Sequence, residues 1–115
     1  MAEAAVEAGA RVTLVAGPVR LDTPRGVERH DVRSALQMRE AVMAAIGSAD
    51  VFIGVAAVAD FRPAHVAEQK IKKGSGAPAF ELLANPDIIA EVAALDGGPL
   101  TVGFAAETEK LREHA

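Results

Sequence analysis

Three lysines fall within four residues at Lys70, Lys72 and Lys73, in a chain whose formal net charge is -4. A block of uncompensated positive charge on an acidic background attracts an anionic ligand. Ammonium groups on flexible stems can close over a triphosphate and neutralise the charge that grows as pyrophosphate leaves. The same lysines are also accounted for as solubilising charge on a solvated loop. Upstream of them, Asp60 follows the apolar run Val51–Val58, where the carboxyl end of a buried strand is expected. Ligands of open α/β sheets bind outside the carboxyl ends of the strands. Asp60 is either a turn carboxylate or a contact to a base, a ribose hydroxyl or a cation. Gly54, Ala56 and Ala57 are small enough to admit a flat group close to the backbone, and equally to admit a tightly packed helix. Asn85-Pro86-Asp87 is a helix start, with Asn as cap, Pro at the first helical position and an acid in the first turn. The free N–H groups of such a start also receive anions. Phe104 closes the last apolar run, as core or as ligand contact. His30, His65 and His114 lack metal-ligand spacing.

The elements that must position these residues alternate. Met1–Ala8 is a run of helix formers stopped by Gly9, and Arg11–Ala16 is a buried strand closed by Gly17-Pro18. Val27–Val32 supplies a short strand. Ser34 with Gln37 three residues on fits a capping box, and Leu36, Met38, Val42, Ala45 and Ile46 recur at helical spacing up to Gly47. Val51–Val58 has the continuous apolar pattern of a central parallel strand covered on both faces. Asp60–Pro78 is a loop long enough to be a lid. Ala79–Leu83 is a strand, Ile88, Ile89, Val92 and Leu95 form the buried face of a helix, Leu100–Phe104 is a buried strand and Glu107–Ala115 a final helix. The pattern predicts a Rossmann-like three-layer α/β/α sandwich around a mainly parallel sheet, as a single partial domain over residues 1–115. It is incomplete at both ends, because it opens inside a helix and closes in one with no strand to follow.

Composition narrows the function classes. The chain has 115 residues, enough for one small domain, and its four phenylalanines are its only aromatic residues. This disfavours a base-stacking nucleic-acid surface. With no cysteine, disulfides, thiolate metal sites and a cysteine nucleophile are excluded. No apolar run approaches the roughly 20 residues of a membrane span, and a secretory pattern is absent, so a cytoplasmic protein with neither nucleic-acid nor membrane partner is expected. No GxGxxG and no Walker motif occurs, which weakens an oxidoreductase reading.

AAVADF at Ala56–Phe61, KIKK at Lys70–Lys73, NPDI at Asn85–Ile88 and GFAAET at Gly103–Thr108, with LVAGPV at Leu14–Val19, closely resemble the phosphopantothenate–cysteine ligase family. These are CTP-dependent bacterial enzymes of coenzyme A synthesis, often fused behind an FMN-dependent decarboxylase. The resemblance spans essentially the whole chain. It implies that the carboxylate of 4'-phosphopantothenate attacks the α-phosphate of CTP with Mg2+, giving an acyl-cytidylate and pyrophosphate, after which the cysteine amine displaces CMP. It implies CTP contacts at Gly54, Val55, Ala56 and Asp60, a nucleotide-contacting and catalytic role for Lys70, a helix-start contact at Pro86, Asp87, Ile88 and Ile89, and a contact at Phe104. No residue is implied as a metal ligand. A homodimer is implied, and FMN only if a decarboxylase domain lies upstream.

Two family features have no counterpart in the chain. The glycine-rich segment with the asparagine associated with the intermediate would precede Met1, and further triphosphate-binding lysines would follow Ala115. The expectation is therefore a fragment or truncated product that keeps the CTP-side motifs without completing the reaction alone. The first reading is thus a ligase domain of coenzyme A synthesis, and the competing one is a non-catalytic nucleotide-binding or dimerisation module derived from the family. Pyrophosphate release separates the two.

Overall fold

The computed structural model describes residues 1–68, 74, 76 and 79–105. The lysine cluster at residues 70–73 and the helix expected over Glu107–Ala115, with His114, lie outside the described residues.

The chain opens with α1 (Ala2–Glu7) and turns at Gly9, whose φ of +93° is open to glycine and strained for other residues. β1 (Val12–Ala16) and β2 (Val27–Asp31) follow and pair in parallel, Val12 opposite Val27 through to Ala16 opposite Asp31. The intervening loop is latched where the Arg29 guanidinium donates to the Leu21 carbonyl, while its Nε donates to Asp31 Oδ1 at 2.8 Å.

α2 (Ala35–Ile46) begins as its sequence dictates. Ser34 Oγ accepts from the Gln37 backbone N–H at 3.1 Å. The returning half of the box reaches one residue further back than the motif requires, since Gln37 Oε1 accepts from the Arg33 N–H at 2.8 Å. The bond to Ser34 satisfies a donor that the first turn would leave orphaned, while the Arg33 N–H lies just outside the helix. Val42 is buried and Met38, Ala45 and Ile46 are half-buried, but Leu36 faces solvent.

β3 (Val51–Gly54) is shorter than the apolar run from which it starts. Beyond Gly54 the chain bends, and the Val58 N–H closes a tight turn on the Ala56 carbonyl at 3.0 Å. β3 pairs in parallel with β6 (Leu100–Gly103), Val51 opposite Leu100 and Gly54 opposite Gly103. Among the described residues, full cover on both faces does not occur. Phe52 turns into the core, while Val51, Ile53 and Leu100 are 49%, 41% and 68% exposed. Strand alternation puts these residues on faces that the described elements leave largely open.

The expected long loop contains structure at its start. Phe61–Pro63 forms β4, which pairs antiparallel with β5 (Leu82–Ala84), Phe61 opposite Ala84. The strand expected over Ala79–Leu83 is therefore shifted towards its C-terminus, and it joins a separate two-stranded ribbon. Pro63 fits there because so short a pair tolerates one residue without a donor.

α3 (Ile88–Ala93) is capped by Asp87 and not by Asn85: Asp87 Oδ1 accepts from the Ala90 N–H at 3.0 Å. Ile88 and Val92 are buried one turn apart, but Leu95, expected on the same face, is 40% exposed because the helix ends before reaching it. Ile88, Val92 and Val42 make one core cluster, flanked by Val15, Met38, Met43, Ile46, Phe52 and Val58. The described residues thus form a mixed α/β fold, with two parallel strand pairs and one antiparallel ribbon in place of a single continuous sheet.

Two substitutions test this packing. Val92 is 1% exposed, so Val92→Ala removes two buried methyls and is expected to destabilise the chain by about 2 kcal/mol. Urea unfolding should show a lower midpoint at an unchanged slope. At Gly54 an added Cβ would lie 2.8 Å from both Cγ1 and Cδ1 of Ile89. Gly54→Ala is expected to cost about 1–3 kcal/mol by overpacking, and less in an Ile89→Ala background. Equal losses in the two backgrounds would place the cause elsewhere.

Candidate functional site

A cavity of about 860 Å3 opens at the carboxyl end of β3. Gly54, Val55, Ala56 and Asp60 line it from the strand and its outgoing turn, and Pro86, Asp87, Ile88 and Ile89 from the start of α3. Residues far apart in sequence therefore share one wall. The approach is close because Gly54 has no side chain: Ile89 packs directly over its Cα.

Phe104 is placed differently. It is absent from the cavity lining and its side chain is largely exposed, but its N–H donates to the Gly54 carbonyl at 3.0 Å, which extends the β3–β6 ladder past the strand ends. Lys70 lies outside the described residues.

The two walls are tied by a side chain that the sequence pattern assigns to another role. Asn85 Nδ2 donates to the Ala59 carbonyl at 2.7 Å, and the Asn85 N–H donates to the Asp60 carbonyl at 2.7 Å. The Arg62 guanidinium donates to the Ala84 carbonyl at 2.6 Å and to Asn85 Oδ1 at 3.2 Å. Asn85 thus fastens the strand-end turn to the helix start, and Arg62 holds the Asn85 amide in that orientation. Neither role was legible in the sequence. Asn before Pro is accounted for by helix capping, and an arginine beside a proline gives no sign of a partner 23 positions away.

The electrostatics of the cavity are one-sided. Asp50, Asp60 and Asp87 line it, and Arg11 is the only lysine or arginine among its described lining residues. A polyphosphate at this wall needs cations brought from outside the described residues. Among the described residues no group of three or more His, Asp or Glu side chains is placed to hold a metal ion. No described helix is long and apolar enough to cross a membrane.

The sequence and the fold both match known proteins. The family described as DNA/pantothenate metabolism flavoprotein C-terminal domain matches residues 1–115. The chain is 54% identical over 118 residues to the coenzyme A biosynthesis bifunctional protein CoaBC of Vibrio cholerae serotype O1, with all of this chain and 30% of that protein covered. It is 51% identical over 119 residues to the protein of the same name from Escherichia coli K12 and 46% identical over 116 residues to that of Bacillus subtilis 168, covering all of this chain and 29% of each. The crystal structure of the C-terminal domain of CoaBC superposes with a TM-score of 0.83 at 39% identity, over 99% of this chain and 53% of that one. The chain thus spans about 30% of the length of these curated relatives. With one family matching from the first residue to the last, and a fold shared with a solved member, the chain belongs to the DNA/pantothenate metabolism flavoprotein C-terminal domain family.

Proposed function

We propose that this domain carries the CTP-binding part of a phosphopantothenate–cysteine ligase. The observation that supports the reading best is the convergence of Gly54, Val55, Ala56 and Asp60 with Pro86, Asp87, Ile88 and Ile89 on one cavity. In this reading the cytidine and ribose lie against the backbone at Gly54–Ala56, where small side chains permit close approach, and Asp60 accepts from a nucleotide hydroxyl or amino group. Lys70 comes over the triphosphate from the neighbouring loop and supplies the positive charge that the acidic wall lacks. Phe104 borders the site through its backbone link to Gly54.

The chemistry requires little from the protein beyond positioning and charge. A carboxylate oxygen of 4'-phosphopantothenate forms a bond to the α-phosphorus of CTP as the bond to the bridging oxygen breaks, and pyrophosphate departs with the electron pair. The amine of cysteine then attacks the acyl carbon, loses its proton and displaces CMP. Mg2+ accompanies the triphosphate. An ion held mostly by phosphate oxygens and water would need at most one or two protein carboxylates; Asp87 borders the same cavity, but its Oδ1 already accepts from the Ala90 N–H. FMN, in this reading, belongs to a fused decarboxylase domain and not to these residues. A cytoplasmic homodimer is part of the proposal. Phe61, Phe80 and Leu82, all more than half exposed on and beside the β4–β5 ribbon, are its candidate contact surface.

A second reading is a nucleotide-binding module without turnover. It is favoured by the acidic described lining of the same cavity, in which Arg11 is the only lysine or arginine.

Calorimetry with CTP, together with a pyrophosphate-release assay containing phosphopantothenate and cysteine, tests the proposal. CTP is expected to bind in preference to ATP and NAD, and Asp60→Ala to weaken binding by tenfold or more. Lys70→Ala is expected to lower pyrophosphate release by about 100-fold or more, the size typical of losing one group that stabilises transition-state charge. Binding of CTP with no pyrophosphate release selects the second reading. Absence of CTP binding overturns both.

A further inference from the structure

One asparagine holds both peptide groups that flank Asp60. The side-chain amide of Asn85 donates to the Ala59 carbonyl at 2.7 Å, and the Asn85 N–H donates to the Asp60 carbonyl at 2.7 Å. Each of these carbonyls belongs to a planar peptide group, one before the Asp60 Cα and one after it. With both planes pinned, φ and ψ of Asp60 are fixed together, and with them the direction in which its Cα–Cβ bond leaves the backbone. Asp60 is exposed at the cavity wall, so that direction decides what its carboxylate can meet there.

The Asn85 amide does this in only one of its two orientations. Turned over, it would set Oδ1 against the Ala59 carbonyl, acceptor on acceptor. Arg62 enforces the choice from the other end. Its Nη1, with two hydrogens to give, donates to Asn85 Oδ1 at 3.2 Å and to the Ala84 carbonyl at 2.6 Å, so a turned amide would also bring donor against donor. A hydrogen bond from a cation is of the stronger kind, and it polarises the amide towards better donation at its Nδ2. The ribbon supplies the placement: Phe61 lies opposite Ala84, and the same register brings Asp60 opposite Asn85. Arg62 and Asn85 both stand outside the core cluster, so the network shapes the site without carrying the fold.

We infer that Arg62 is a positioning residue for the nucleotide: acting through Asn85, it sets the direction of Asp60 and so governs how tightly CTP is held. The inference rests on the reading of this cavity as a CTP site. A cation beside an anion site has two ways to act. Working on the triphosphate by charge alone, Arg62 would act whatever stood at position 85. Working through the amide, it acts only while Asn85 is present.

A double-mutant cycle on the full chain tests the inference, with CTP affinity read by calorimetry and backbone amide exchange by 15N NMR. Arg62→Ala is expected to weaken CTP binding about tenfold, the size of losing one hydrogen bond to a charged group. It should speed exchange of the Asn85 N–H, which holds the Asp60 carbonyl, while exchange of the Val92 N–H in the core stays unchanged. In an Asn85→Ala background Arg62→Ala is expected to alter CTP affinity by no more than about twofold. Arg62→Lys keeps the stem and the charge but not the planar fork. It goes through the same cycle with the same expectation, so the comparison stands even where Arg62→Ala does not fold. A loss of affinity undiminished in the Asn85→Ala background overturns the inference. So does unchanged CTP affinity in both Arg62 variants, or exchange at Asn85 and Val92 rising together. Failure of the unsubstituted chain to bind CTP is a separate result, which removes the CTP reading and the inference with it, whereas CTP binding indifferent to Arg62 removes the inference alone.

Discussion

The stripe Ile88, Ile89 and Val92 is the contact on which the second half of the fold depends. A helix of six residues has no standing stability of its own in water, so α3 exists because its apolar side is buried. Ile88 and Val92 join Val42 of α2 in the core, and Ile89 seats over Gly54. The Arg39–Glu91 ion pair at 2.7 Å spans the two helices, but both side chains are more than a third exposed, so it orients the contact more than it stabilises it. Through Ile89 the stripe fixes how near the helix start comes to β3, and hence the width of the wall that Gly54, Asp60 and Asp87 share. Core packing and site geometry are set by the same three side chains.

The sequence was most legible where a local signal suffices. Helical spacing and the Ser34–Gln37 pair located α2, and Gly9 located the end of α1. It was least legible where an outcome depends on what lies across space. The run Val51–Val58 has the composition of a buried central strand, but apolar content does not say where a ladder stops, and the tight turn at Ala56–Val58 ends it. Asn85 and Asp87 are both good caps by type. The choice between them is made by the Ala59 and Asp60 carbonyls, which engage Asn85 from 25 or so positions away and leave Asp87 to cap the helix. The antiparallel ribbon escaped for a similar reason: Phe61–Pro63 is too short for any periodic signal, and only its pairing with Leu82–Ala84 makes it a strand. Among the site residues, those tied to strand and helix ends converge as their motif positions suggest, whereas Phe104 takes part through its backbone alone.

The two parallel pairs also differ in how far along the chain each must reach. Val12 meets Val27, whereas Val51 meets Leu100. Closing the longer loop carries an entropy penalty greater by about 1 kcal/mol on a logarithmic scale of loop length, and non-local parallel pairing is intrinsically slow. As the polypeptide leaves the ribosome, β1 and β2 have both emerged before β3 is made, while β3 waits for some fifty further residues before its partner exists. During that interval Val51 and Ile53, which stay 49% and 41% exposed even in the finished fold, have no strand partner, and unpaired apolar strands of this kind are prone to meet wrong partners.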